Sequence, residues 1–136
     1  MIGMPQIWTS HWHAELPSDF ARVGISRGAR GQRGYRRCIP LQPGPWWRSA
    51  SEAEFCHLYQ TQLARLDPEL VIKTLAAQSG GRSIGLLCWE HPGDGTWCHR
   101  ALAAYWLHST LGLEVREYDL PGVGLQHPMM APSLRC

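Results

Sequence analysis

Ser-Ile-Gly-Leu-Leu-Cys-Trp-Glu-His-Pro-Gly-Asp-Gly-Thr-Trp-Cys-His-Arg, residues 83–100, is the stretch on which a reading of the fold turns. Ile84 to Leu87 is an apolar run too short for a helix, which predicts a buried strand. Cys88, Trp89 and Glu90 then stand at the strand's C-terminal end. Pro92, Gly93, Asp94 and Gly95 form a turn-rich loop. Thr96 is a suitable cap for a following helix, which puts Trp97, Cys98 and His99 in its first turn. Strand, glycine-rich loop and helix start is an arrangement that faces backbone N–H groups toward a ligand.

Upstream, Gln6–Ser10 and Arg22–Ser26 read as short strands carried by Ile7, Trp8, Val23 and Ile25. Downstream, Leu113–Tyr118 alternates apolar and charged residues as an edge strand does. Three helices are expected between them. Ser51 with Glu54 makes a capping box opening a helix over 51–66. Asp67-Pro68 opens a second over 68–79, which Gly80 or Gly81 stops. The third runs over 97–111 and ends at Gly112. This order predicts an α/β fold: one domain over 1–120, with helices packed on a mostly parallel sheet of about four strands. Ligands bind such sheets at the C-terminal strand edge. That edge would gather Ser10 and His11, Ser26 and Arg27, and Cys88 and Glu90 beside the Cys98 helix start.

Two segments resist this reading. Residues 28–50 form a long loop with Gly28, Gly31, Gly34 and Gly44, Pro40, Pro43 and Pro45, and no apolar periodicity over 28–45. Residues 28–45 are expected to be the most mobile internal segment. Residues 121–136 are a glycine- and proline-rich tail, expected to be poorly ordered.

A chain of 136 residues with 44% hydrophobic and 18% charged residues is globular and long enough for one core. No apolar run approaches the roughly 20 residues that span a bilayer, and the first residues lack the layout of a signal peptide. A cytoplasmic location and no membrane partner are expected. Charge is uneven within the net +2: seven arginines and no acid lie between Arg22 and Arg48. Arginine suits bidentate contact with phosphate, although charge runs are often merely solvated.

Five cysteines without a disulfide-framework spacing should be mostly thiols in the cytosol. Cys98 at a helix start reads as a reactive thiolate or as a small buried residue. Cys88 leans toward packing, and Cys56 sits mid-helix. No Cys-x-x-Cys exists, although a strand–loop–helix return would bring Cys88 and Cys98 together. His11 and His13, two apart, have no cysteine or acid at finger spacing and read as polar tips. Cys88, His91, Cys98 and His99 carry zinc-ligand chemistry at a spacing that matches no common finger. Neither a metal nor a cofactor is expected. A phosphatase-type Cys-x5-Arg fails because Ala103 stands where arginine is required, and no Gly-Lys-Ser/Thr is present.

Ile25-Ser26-Arg27-Gly28 after an early strand, then Leu-Leu-Cys-Trp-Glu…Cys-His-Arg before a helix, resembles the bacterial and phage family called domain of unknown function 488, over roughly residues 6–118. The matching positions are Arg27, Cys88, Glu90, Cys98, His99 and Arg100. The resemblance implies an α/β fold and supplies no activity. Ala29-Arg30-Gly31 stands where members often have a proline.

Together the residues suggest a site for a phosphorylated or nucleotide-like ligand. Arg27, Arg100, Ser26 and Cys88 would hold it, and Cys98, Glu90 and His99 would lie nearest any chemistry. Trp12, Trp46, Trp47, Trp89 and Trp97 are available for base stacking, or for ordinary packing. The alternatives are a nucleic-acid-binding accessory protein acting through the arginine-rich loop, and a thiol-redox or metal-binding protein.

Overall fold

The structure is a computed structural model, and it describes residues 5–28, 31–32 and 35–134. Five strands form one sheet, all parallel: β1 (Ile7–His11), β2 (Ala21–Gly24), β3 (Arg36–Arg37), β4 (Ile84–Cys88) and β5 (Arg116–Glu117), in the order β3-β2-β4-β1-β5. Helices α1 (Glu52–Ala64), α2 (Pro68–Ser79) and α3 (His99–Leu111) join them. The expected α/β architecture is present, with one strand more than expected. No helix among the described residues is long and apolar enough to cross a membrane.

The run 83–88 is the centre of the sheet, and all five β4 residues are buried. A parallel strand covered on both faces needs such an unbroken apolar run, and each large side chain there contributes about 2 kcal/mol by leaving water. Helix ends follow the local chemistry. The Ser51–Glu54 capping box closes on both sides, Asp67 accepts from the N–H groups of Glu69 and Leu70, and Gly80 and Gly112 end α2 and α3 with positive φ. Gly24 meets a different demand: a Cβ there would lie 2.7 Å from the buried Trp12 indole.

Three expectations are corrected. The third helix begins two residues later than expected, with Cys98 rather than Thr96 as its N-cap. The Cys98 backbone is extended, its N–H is bonded to the Met129 carbonyl, and its sulfur accepts from the Arg100 N–H. The loop is organised where it is described. β3 pairs with β2, Cys38 and Leu41 are buried, and α1 grips the turn at Ile39–Leu41 through Tyr59 Oη to the Leu41 carbonyl (2.6 Å) and Gln62 Nε2 to the Gln42 carbonyl (2.6 Å). Residues 29, 30, 33 and 34 of the expected mobile segment, Arg30 and Arg33 among them, lie outside the described residues. The tail is part of the core: His127, Met129, Met130 and Ala131 are all buried. Its last two residues, including Cys136, lie outside the described residues.

Candidate functional site

In a sheet whose strands all run one way, their C-terminal ends share one edge. β2 leads away to β3 on one side, while β4 leads through α3 to β5 on the other. The connections therefore part between β2 and β4 and leave a crevice there, the place where open parallel sheets take ligands. A cavity of about 880 Å³ occupies it. Ser26, Arg27 and Gly28 line it from the end of β2, and Cys88, Trp89 and Glu90 from the end of β4. Trp97, Cys98 and His99 come from the start of α3, and Trp47 and Arg48 from the turn before α1.

Six of the seven residues singled out from sequence therefore meet in one cavity: Ser26, Arg27, Cys88, Glu90, Cys98 and His99. Arg100 does not. It is wholly buried and paired through two bonds with Glu117, Nε to Oε1 at 2.8 Å and Nη2 to Oε2 at 2.7 Å. Its remaining Nη1 touches the Cys88 sulfur at 3.3 Å. A guanidinium so enclosed holds the fold together and has no face toward a ligand. The physical reason is helical direction: two residues after the Cys98 cap, the side chain turns to Glu117 on β5 instead of into the crevice.

Ser26 also plays a narrower part than expected. Its hydroxyl donates to the Gly28 carbonyl and accepts from Trp12 Nε1 at 3.0 Å. Trp89 Nε1 donates to the same carbonyl at 2.9 Å, which ties the end of β2 to the end of β4 across the crevice. Arg27 is exposed and reaches the Pro43 carbonyl at 3.4 Å. Arg48, also exposed, lies over the Trp47 ring at 4.8 Å. Arg48 and Trp47 form a charged and aromatic pair that the sequence signals only by their adjacency ahead of a helix cap.

Sulfur and imidazole also line the cavity, from Cys88, Cys98 and His99. Cys88 and Cys98 are joined as a disulfide and both are buried, so of the two readings of Cys98 the free thiolate does not hold. The return from β4 through the loop to α3 brings together two cysteines ten residues apart. His99 is buried, and burial pushes its pKa down to about 4, so the ring is neutral at pH 7. Its Nε2 faces the Ile25 carbonyl at 2.8 Å and must donate there, because a carbonyl only accepts. Nδ1 is then the unprotonated nitrogen, 3.7 Å from the Cys98 sulfur. Cys38 and Cys56 are separate buried thiols. Burial pushes Cys38 up to about 11 and raises Cys56 as well. Two groups have metal-ligand chemistry among the described residues: Cys88, Cys98 and His99, whose sulfurs bond each other, and His11, His13 and His91.

No protein-family model, no curated protein and no solved structure matches this chain.

Proposed function

We propose that the crevice between β2 and β4 binds a small anionic ligand with a planar ring, a nucleotide-like molecule. The observation that carries this reading is the lining itself, where Trp47, Trp89 and Trp97 stand beside the guanidinium groups of Arg27 and Arg48 in about 880 Å³. That volume suits a small molecule. Indoles stack on bases, and an arginine fork binds phosphate through two bonds. Glu90 is the carboxylate at the end of β4 that would stand nearest a reacting group. The resemblance to the domain of unknown function 488 family belongs to the same proposal, as does a cytoplasmic setting. The first is supported by five of its six matching positions meeting at one cavity.

The test is a tryptophan-fluorescence titration with adenosine monophosphate, adenosine and inorganic phosphate, at two salt concentrations. Adenosine monophosphate should bind best, and Arg27→Ala and Arg48→Ala should each weaken it by about tenfold, the worth of one charged contact. No saturation at millimolar nucleotide, or affinity indifferent to both arginines, contradicts the reading. Tighter binding of a single-stranded oligonucleotide, with a steep loss in salt, favours the nucleic-acid alternative through the exposed Arg36 and Arg37.

A second reading has its own support. A disulfide in a cytosolic protein is more often catalytic or redox-sensing than structural. Reduction of the Cys88–Cys98 bond takes two electrons and two protons from a dithiol donor, which leaves as a disulfide. The new Cys98 thiol then has His99 Nδ1 as its acceptor, and the Cys88 sulfur has Arg100 beside it. The guanidinium contact favours thiolate at Cys88, whereas Cys38 and Cys56 are held as thiols by burial. Differential alkylation across a glutathione series checks this. One two-electron transition confined to the peptides containing Cys88 and Cys98 supports it, and a pair that stays oxidised or stays reduced throughout opposes it.

A further inference from the structure

The geometry points to a second site on the same edge: His11, His13 and His91 form a three-histidine centre for one divalent transition metal of the zinc class. This goes beyond the ligand reading, because none of the three lines the crevice. Trp89 stands between the two places, with its indole 5.7 Å from the His13 ring.

The sheet register assembles this group. In the parallel pairing of β1 with β4, His11 stands opposite Cys88, and the ladder continues with Trp12 N–H to the Cys88 carbonyl at 3.0 Å. His13 and His91 therefore leave neighbouring strands close together. His13 Nδ1 lies 3.0 Å from His91 Nε2, and the His91 ring stacks on His11 at 4.0 Å between centroids. One nitrogen from each ring lies within 4.8 Å of the other two. Three nitrogens bound at the usual zinc distance of about 2 Å in a tetrahedral arrangement lie roughly 3.3 Å apart. To reach that spacing the His91 ring turns out of its stack on His11, and its hydrogen bond with His13 is exchanged for the metal.

Two further features fit a metal. His11 Nδ1 is buried and has no hydrogen-bond partner. The backbone carrying His13 is braced: Ala14 N–H closes a turn on the His11 carbonyl, and the Arg22 guanidinium holds the Trp12 carbonyl at 2.6 Å and the Ala14 carbonyl at 3.3 Å. A scaffold fixed in this way loses little freedom on closing around an ion. Three imidazoles with no carboxylate suit zinc, copper or nickel and not magnesium or calcium. His13 is exposed, so a fourth position faces solvent and is open to water or a ligand, as in catalytic zinc sites.

The experiment uses the untagged full chain in its oxidised form, titrated calorimetrically with zinc chloride and spectroscopically with cobalt(II). The expected result is one ion per chain with the visible bands of a four-coordinate cobalt site. His13→Ala, at an exposed position, should weaken zinc by about 100-fold, and His91→Gln should do the same. Cys98→Ser should leave affinity unchanged. The ordinary circular-dichroism spectrum of each variant confirms its fold. No 1:1 zinc binding, or binding that survives His13→Ala and His91→Gln, overturns the assignment. Binding lost in Cys98→Ser overturns it too, and moves the metal to the sulfur cluster.

Discussion

Glu117→Gln separates a structural Arg100 from a ligand-binding one. The substitution keeps the shape of the side chain and removes its charge. Arg100 then stands wholly buried with two bonds of 2.7 and 2.8 Å to a neutral amide, one end of which is a donor facing donors. Thr9 Oγ1, which donates to Glu117 Oε1 at 2.8 Å, is disturbed as well. Removing one partner of a buried ion pair costs about 3–5 kcal/mol, because the other charge stays dehydrated and unmatched. For a chain of this size that lowers Tm by about 10 °C or more. Urea unfolding at pH 7 reads the loss directly. Replacing both partners, Arg100→Met with Glu117→Leu, should recover much of it, since the desolvation penalty of both charges disappears together. A loss below about 1 kcal/mol in Glu117→Gln, or a double variant as unstable as the sum of both singles, refutes the role given to Arg100.

Stability should fall on mild acidification. His99 and His127 both have folded pKa values of about 4 because of burial, against 6.5 in the unfolded chain. Below pH 6.5 the unfolded chain therefore takes up protons that the folded one refuses, and each residue removes about 2 kcal/mol by pH 5, levelling off below pH 4. Urea midpoints that stay flat between pH 7 and 5 contradict this. Met129→Ala should cost about 2–4 kcal/mol in the same assay, since Met129 is buried in the core; a disordered tail would make it silent. Gly24→Ala should cost about 1–3 kcal/mol by pressing on the buried Trp12 indole, and an unchanged urea midpoint would show that the indole yields freely.

The central strand and the three helices are legible because short-range chemistry specifies them. Ile84–Leu87, the Ser51–Glu54 box, Asp67-Pro68 and the glycines after α2 and α3 each act within a few residues. The site edge is legible for the same reason, since parallel strands put their ends together once they are identified. What the sequence conceals is long-range pairing. Arg100 looks like a free cation beside a cysteine until Glu117 is placed against it. Glu117 does carry a signal: it stands two and four residues beyond the apolar Val115 and Leu113, at the inward parity of its strand, where a carboxylate needs a buried partner. The tail hides in the same way. Its glycines and prolines suggest disorder, yet its Met-Met-Ala run is buried in the core, with the Met129 carbonyl accepting from the Cys98 N–H at the start of α3. The histidine cluster needs the β1–β4 register, which places residues about 80 apart side by side; no local spacing encodes it.

The ligand reading of the crevice is tested most directly by mapping amide and indole resonances while adenosine monophosphate is added. Shifts should saturate together at Ser26, Arg27 and Gly28, at Trp89 and Glu90, and at the indole N–H groups of Trp47 and Trp97. All of these line the gap between β2 and β4. Shifts confined to Arg36 and Arg37 on the outer strand, or none at millimolar nucleotide, would contradict it.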